Sequence, residues 1–190
     1  MTTKGLRPGG RSARIQEAVQ QAVRDIQAEG EREGLTVPAI AARAGVTPST
    51  IYRRWGDLPQ LLSDVALEEL RPDSLPTDTG SFRGDMEVWL THYLDEMASD
   101  FGRAILRDLL SSQNSLNAGE CARCLEEQFD VMRTRAAARG ELTPESKSLM
   151  DQVFAPLVYR LLFLAEAPDR TFALAMLDRA LQDVRPRNAE

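Results

Sequence analysis

The sequence predicts an all-α protein of about nine helices, with three short helices in an N-terminal head and a larger helical domain behind it. Three observations predict this fold class. Apolar residues recur at steps of three and four along most of the chain, which is the period of an amphipathic helix, and no convincing alternating run predicts a strand. Short helical segments cluster before residue 57, and long ones follow. Basic residues concentrate at the same end as the short helices.

Composition restricts the class of protein. Hydrophobic residues make up 43% of the 190 residues and charged residues 27%, which is the balance of a globular chain. We find no secretory signal and no apolar run of the ~20 residues that a membrane-spanning helix needs, so we expect a cytoplasmic protein without a membrane partner. One histidine and two cysteines argue against a disulfide framework and against most metal or histidine-dependent catalysis. We therefore expect no cofactor, no metal and no catalytic residues.

Charge is distributed unevenly along the chain. The net charge is −6, but residues 1–60 carry nine Lys/Arg and six Asp/Glu, a net +3, whereas residues 61–190 carry fourteen and twenty-three, a net −9. Residues 1–11 contain Gly, Pro and basic side chains, and we expect them to form a flexible basic arm. A basic head on an acidic body is typical of a nucleic-acid-binding module, and a solubilising tail is the alternative.

Residues 12–57 are predicted to form the head. Ser12 can cap a first helix whose apolar positions recur at three- and four-residue steps, and the polar stretch 29–34 ends this helix. A second helix runs from about Val37 to Ala44, with Thr36 as its cap. A third short helix follows directly.

The second and third predicted helices have the lengths and the turn glycine of a helix-turn-helix unit. Gly45 makes the turn, and Thr47-Pro48 starts a helix that reaches Trp55. At ~100° per residue, Ile51 and Trp55 share the face that packs on the other head helices. The opposite face carries hydroxyl, phenol and guanidinium groups without a carboxylate, a set that can bind DNA phosphates and base edges; an ordinary capped surface helix is the alternative. The candidate DNA-binding residues are Thr36, Thr47, Pro48, Ser49, Thr50, Tyr52, Arg53, Arg54 and, at the end of the arm, Arg11.

The segment LTVPAIAARAGVTPSTIYRRWGDLPQLL, residues 35–62, closely resembles the DNA-binding head of the TetR family of bacterial transcriptional regulators. The matching features are Leu35-Thr36-Val37, Ile40-Ala41, Ala44-Gly45-Val46, Thr50-Ile51-Tyr52, Trp55 and Leu61-Leu62. A second stretch, PLVYRLL at residues 156–162, is similar to one C-terminal subgroup of that family. The resemblance implies a homodimeric regulator, a repressor that binds a palindromic double-stranded DNA operator and is released by a small-molecule effector. It does not imply an enzyme.

Residues 58–190 are predicted to form the effector-binding and dimerisation domain. Its first helix is Leu58–Leu70, and a loop rich in Pro and Asp, residues 71–80, separates it from five longer helices. Pro156 is expected to kink one of them or to mark an irregular turn. The longer predicted helices are Phe82–Ser99, Phe101–Ser112, Ala118–Arg139, Glu145–Leu164 and Asp169–Val184.

Two sets of apolar residues in this domain carry functional predictions. The family resemblance implies that some of its aromatic and Met residues line a cavity for a hydrophobic effector, and a core role is the alternative. The candidate effector-pocket residues are Trp89, Tyr93, Met97, Phe101, Ile105, Leu125, Phe129, Phe154 and Val158. His92, Glu96 and Arg160 are the candidate polar anchors, and a surface or structural role is the alternative. Segments 149–164 and 172–184 carry apolar faces wider than one core contact needs, which predicts pairing with a second copy; burial within one chain is the alternative. The candidate dimer-interface residues are Val153, Leu157, Leu161, Phe172, Met176 and Ala180.

Cys121 and Cys124 stand three residues apart in a predicted helix, so their sulfur atoms share a face. A redox switch or half of a metal site is the functional interpretation, and a pair of inert thiols is the alternative. The sequence therefore predicts a DNA-binding regulator. A thiol-responsive regulator using these two cysteines, and a helical carrier or enzyme with a vestigial head, are the alternatives.

Overall fold

The computed structural model describes residues 10–29, 34–113 and 115–184, and these residues form helices without a strand. The helices are α1 Arg11–Ala28, α2 Val37–Arg43, α3 Pro48–Trp55, α4 Leu58–Glu69, α5 Phe82–Met97, α6 Asp100–Leu109, α7 Leu116–Ala138, α8 (Ser146–Leu149, Met150–Phe154 and Ala155–Phe163) and α9 Arg170–Val184. The predicted all-α class is confirmed. Within this part of the chain, no helix is long and apolar enough to cross a membrane.

Side-chain caps fix where several helices begin. The Asp57 carboxylate accepts a hydrogen bond from the Gln60 N–H at 2.8 Å and so starts α4. Ser81 and Ser99 cap α5 and α6 in the same way. Each such cap stabilises a helix by about 1 kcal/mol, because it satisfies an N–H group that has no partner within the helix. The observed starts therefore follow from local sequence.

Helix α8 changes its hydrogen-bond pattern in the turn before Pro156. The Ala155 N–H donates to the Met150 carbonyl, five residues back instead of four, and the segment between them is π-helical. Pro156 lacks an N–H, and in a regular α-helix its ring would meet the carbonyl of residue 152. The wider π turn relieves this contact, and helical φ and ψ angles on both sides keep α8 continuous. The predicted irregular turn at Pro156 is confirmed.

The head core is shared by the first four helices. Three residues of α4, Leu61, Leu62 and Val65, pack in it. The next residue of that helix, Ala66, packs instead with Ile105 and Leu109 of α6. Helix α4 therefore contributes to both cores, and the expected division of the chain at residue 57 stays a prediction. The buried members of the head core are Val19, Ala22, Val23, Ile26, Leu35, Val37, Ile40, Ala41, Ile51, Trp55, Leu61, Leu62 and Val65.

The core of the second domain lies between α5, α7, α8 and α9, and it corrects four of the predicted dimer-interface positions. Val153, Leu157 and Ala180 are buried in this core, and Leu161 is buried in a neighbouring cluster that includes Tyr93. These four residues cannot form a surface between two copies. The periodicity of α8 revealed two adjacent apolar strips, and only its neighbours decide which strip faces inward.

Candidate nucleic-acid interface and ligand cavity

The turn between α2 and α3 is a Schellman motif centred on Gly45. The Val46 N–H donates to the Ala41 carbonyl at 3.0 Å, and the Gly45 N–H donates to the Ala42 carbonyl at 3.3 Å. Gly45 has a φ of 66°, a left-handed conformation that costs a residue with a side chain about 1–2 kcal/mol. This turn sets the orientation of α3 relative to α2, and so establishes the predicted helix-turn-helix unit.

Two threonines stand at the starts of the helices in this unit. Thr36 Oγ1 accepts a hydrogen bond from the Ala39 N–H at 3.3 Å, so this side chain caps α2 as predicted. Thr47 Oγ1 lies 2.9 Å from Ser49 Oγ and 3.0 Å from Thr50 Oγ1. Three hydroxyl groups therefore cluster at the N-terminus of α3, next to Pro48. Free N–H groups and the helix dipole at such an end favour an anion such as a phosphate.

Helix α3 divides into a buried and an exposed face as the wheel predicts. Ile51 and Trp55 are 0% and 6% exposed and pack in the head core. Ser49, Tyr52 and Arg53 are exposed, Tyr52 by 51% of its surface. The eight residues of α3 include no carboxylate. The exposed face therefore presents hydrogen-bond donors and positive charge to solvent.

Arg54 binds α1, although the sequence placed it among the candidate DNA contacts. Its Nη1 donates to the Ser12 Oγ at 2.7 Å, and its Nη2 donates to the Gln16 side chain. The guanidinium carbon also lies 5.3 Å from the centroid of the Trp55 ring. We therefore assign Arg54 to holding α3 against α1. Ser12, the expected cap, is the second residue of α1 and accepts this bond instead.

The predicted basic arm is described only at its end. Arg11 is the first residue of α1, so the helix begins two residues earlier than a cap at Ser12 predicts. Residues 1–9 lie outside the described residues. A role for the arm and for Arg11 in DNA binding stays a prediction.

A cavity of about 360 Å³ lies in the second domain, below the C-terminal end of α4. The loop of residues 71–77 forms one wall, and α5, α6, α7 and α8 form the others. The rings of Trp89 and Tyr93 stack with centroids 5.3 Å apart, and Phe154 lies 5.1 Å from Tyr93. The volume is at the lower end of the range of small-molecule pockets. The apolar residues that the helices α5 to α8 contribute to the wall include Trp89, Tyr93, Met97, Leu106, Leu125 and Phe154.

Five of the nine predicted pocket residues line this cavity, and four do not. Phe129 is a core residue behind the wall, with its ring 5.1 Å from that of Trp89. Ile105 packs against α4, Phe101 is 48% exposed, and Val158 lies on α8 away from the cavity. Those that line it are Trp89, Tyr93, Met97, Leu125 and Phe154. Helical spacing placed all nine on apolar stripes, but only the packing of the helices separates core from cavity.

Polar groups also line the cavity, and sequence reasoning found only some of them. His92 and Glu96, which it proposed as polar anchors, are exposed at the edge. Gln128 was missed; its Oε1 accepts a hydrogen bond from Trp89 Nε1 at 2.9 Å and so fixes the indole. The loop 71–77 was missed as well, because an irregular segment has no periodicity that indicates which surface it covers.

The two cysteines are free thiols on α7, and Cys121 lines the cavity. Burial, with a smaller contribution from Cys124, raises the pKa of the Cys121 thiol to about 11. Because the thiolate is the reactive form, a raised pKa suppresses redox chemistry at this site and does not support the thiol-responsive alternative. No group of three or more His, Cys, Asp and Glu side chains that could hold a metal ion occurs where the structure is described.

Polar side chains join α4 to α6 and α7. Ser63 is fully buried, and its Oγ donates to the Leu109 carbonyl at 2.9 Å. Asn117 Nδ2 donates to Ser63 Oγ at 3.1 Å and to Asp64 Oδ1 at 2.6 Å. Because Leu61 on the same helix packs in the head core, α4 connects the head mechanically to two helices of the cavity wall.

A helix-turn-helix head with an acid-free exposed helix, joined to a helical domain that encloses a cavity, is the architecture of a DNA-binding transcriptional regulator. Comparison with known families agrees. Residues 25–65 match the family model of bacterial regulatory proteins, tetR family, and residues 76–180 match the tetracyclin repressor-like C-terminal domain. The chain therefore belongs to the TetR family of transcriptional regulators and is not an enzyme. The sequence resemblance is confirmed.

Individual relatives support the same assignment. The chain is 31% identical to the HTH-type transcriptional regulator AqdR of Rhodococcus erythropolis, over 58% of this chain and 54% of that regulator. It is 26% identical to the HTH-type transcriptional regulator YdeS of Bacillus subtilis, over 100% of this chain and 98% of YdeS.

Two solved structures share the fold. The TetR family regulator SCO0332 superposes with a TM-score of 0.64 at 23% identity, covering 92% of this chain and 98% of that one. A TetR regulator from Agrobacterium tumefaciens superposes with a TM-score of 0.57 at 21% identity, covering 90% and 92%. At these identities the likeness concerns the fold alone.

Proposed function

We propose that this protein is a repressor that binds a palindromic DNA operator as a homodimer, with α3 of each head in the major groove. The observation that carries the proposal is the exposed face of α3, where Ser49, Tyr52 and Arg53 offer hydrogen-bond donors without a neighbouring carboxylate on that helix. An Arg side chain can bind guanine O6 and N7 together, and hydroxyl groups can donate to phosphates. The protein would act in the cytoplasm, where bacterial operators lie.

The outer face of α8 and α9 is the surface we propose for dimerisation. Tyr159 and Phe163 are 58% and 71% exposed, and their rings stack at 5.2 Å. On α9, Phe172 and Met176 are only partly buried, and the Arg160 guanidinium carbon lies 4.0 Å from the Phe172 ring centroid. Large apolar side chains exposed side by side are typical of a surface that a partner covers. A second copy is the partner that a two-fold operator requires.

We propose that the cavity binds a small hydrophobic effector that changes DNA affinity through α4. Two heads can occupy successive major grooves only if they lie about 34–36 Å apart, or a multiple of this distance. An effector that binds better at another spacing must weaken DNA binding, and DNA must weaken effector binding by the same free energy. The contacts of Ser63 and Asn117 supply the mechanical connection.

DNase I footprinting, followed by fluorescence anisotropy on the protected DNA, tests the DNA-binding part of the proposal. We expect Arg53→Ala to weaken operator binding by about 1–3 kcal/mol if it contacts a base edge. Arg170→Ala, which removes the same side chain from α9, should leave the affinity unchanged. Wild-type affinity in both Arg53→Ala and Tyr52→Ala would place the interface elsewhere. Transcription in vitro from the protected promoter distinguishes repression from activation.

A further inference from the structure

Charged side chains line the edge of the cavity but not its interior, and this difference restricts the kind of ligand that can bind. We propose that the effector is an uncharged, largely aromatic molecule with one hydrogen-bond acceptor, which receives the O–H of Tyr93. This inference rests on the effector role proposed for the cavity.

Tyr93 supplies a buried polar group of the cavity wall. Its side chain is 8% exposed, and its hydroxyl has no hydrogen-bond partner among the residues that the structure describes. A buried hydroxyl without a partner is costly, because its hydrogen bonds to water are lost and not replaced. Burial also raises the pKa of Tyr93, so the hydroxyl keeps its proton and remains a donor at neutral pH. The hydroxyl oxygen itself is enclosed, so a ligand that opens access to it and brings an acceptor would satisfy this donor.

The charged residues of the lining lie at its edge. Three carboxylates, those of Glu69, Asp73 and Glu96, and one guanidinium, that of Arg71, line the described part of the cavity, and each of these residues is exposed. The Arg71 guanidinium lies 3.7 Å from the Glu68 carboxylate. The excess of carboxylates opposes an anionic ligand. A cation inside would have no buried counter-charge among these lining residues, so burying a charge of either sign is unfavourable.

Aromatic rings define the shape of the interior. The planes of Trp89 and Tyr93 differ by 6°, and the Phe154 ring is tilted by 55° and 56° to them. Rings at such angles offer both faces and edges to an aromatic ligand. A cavity of about 360 Å³ lies at the lower end of the range of small-molecule pockets, so the ligand is small, and we choose bicyclic aromatic molecules as probes.

Four naphthalene derivatives of similar size separate these contributions. Methyl naphthyl ketone carries an acceptor, ethylnaphthalene lacks it, naphthoate adds a negative charge, and naphthylmethylammonium adds a positive charge. In isothermal titration calorimetry with the full-length protein, we expect the ketone to bind most tightly and each charged compound to bind about tenfold more weakly or worse.

Tyr93→Phe tests the hydrogen bond and keeps the ring. We expect it to weaken ketone binding about threefold to tenfold and to leave ethylnaphthalene binding unchanged. Thr134→Val removes a hydroxyl from an exposed position of α7 outside the cavity lining and should change neither. Because Tyr93→Phe removes an unpaired polar group, its unfolding midpoint by circular dichroism should be no lower than that of the wild type.

Each contrary result identifies what fails. If either charged compound binds as tightly as the ketone, the cavity does not select against charged ligands. If Tyr93→Phe weakens the binding of ketone and ethylnaphthalene equally, Tyr93 does not donate a hydrogen bond to the ketone. In both cases the cavity keeps its proposed role as the effector site. If none of the four compounds binds, the ligand class proposed here is overturned. DNA binding is measured separately by the footprint, so it stands or falls on its own.

Discussion

Asn117 of α7 donates a hydrogen bond to Asp64 of α4, with 2.6 Å between Nδ2 and Oδ1. The same carboxylate oxygen accepts from Gln60 Nε2 at 2.8 Å, so one oxygen joins two turns of α4 to a different helix. Helix α7 also carries Leu125 and Gln128 of the cavity wall. The contact therefore joins a helix of the cavity wall to α4, the helix that completes the head core.

Asn117→Ala should reduce the coupling between the effector cavity and the DNA-binding head. We expect the ratio of operator affinities with and without methyl naphthyl ketone to move toward one, because α7 loses the hydrogen bonds of Asn117 to α4. The loss of hydrogen bonds should also lower the free energy of unfolding by about 1 kcal/mol. Fluorescence anisotropy and urea denaturation measure the two effects. Gln182→Ala, exposed on α9, is the control, and an unchanged affinity ratio in Asn117→Ala would remove this contact from the mechanism.

Adjacent arginines of α3 should have different effects on stability. Arg54→Ala removes the bonds to Ser12 and Gln16, so we expect the free energy of unfolding to fall by about 1 kcal/mol. Arg53→Ala removes an exposed side chain and should stay within about 0.5 kcal/mol of the wild type. Urea denaturation followed by circular dichroism tests this difference. Equal losses in both variants would contradict the assignment of Arg54 to the α1–α3 contact.

A carboxylate introduced on the exposed side of α8 should affect dimerisation, whereas one introduced on the buried side should affect folding. Phe163→Glu introduces a carboxylate on the exposed face, and we expect a monomer that keeps its helicity and loses tight binding to a palindromic operator. Leu161→Glu buries a carboxylate in the core and should unfold the domain, with a loss above about 3 kcal/mol. Sedimentation velocity and circular dichroism distinguish the outcomes. A dimeric Phe163→Glu protein would exclude this face from the interface.

The partly buried thiol of Cys121 should make stability depend on alkaline pH. Burial raises the pKa of this thiol to about 11, from an ordinary value of 9.0. Between these values the unfolded chain has released the proton and the folded protein retains it, so the free energy of unfolding decreases as pH rises. Below that range both states hold the proton and the contribution is constant.

Cys121→Ser removes this titration and should show a smaller decrease when urea denaturation is compared at about pH 8 and about pH 10. Parallel decreases in both proteins would contradict the buried-thiol interpretation. Operator affinity should also be equal with and without reductant; a difference that Cys121→Ser abolishes would revive the thiol-responsive alternative.

Much of the fold and of the DNA-binding face could be predicted because their causes are local. Caps, turn glycines and the helical period act within a few residues, so Thr36, Gly45 and Asp57 mark helix ends from sequence alone. The two faces of α3 follow in the same way, since Ile51 and Trp55 lie four residues apart on a helix that is too short to bury more than one side. Membership of the TetR family was readable from the same segment.

Only the tertiary structure decided what each apolar or polar side chain meets. The helical period identifies Leu157, Leu161 and Phe163 as apolar positions of one helix. The first two are buried and the third is 71% exposed, because α5, α6 and α9 cover only one side of α8. Likewise, the wheel puts Arg54 on a flank of α3, and the position of α1 determines that it binds Ser12. Sequence patterns specify which surfaces need a partner; long-range packing determines which partner they obtain.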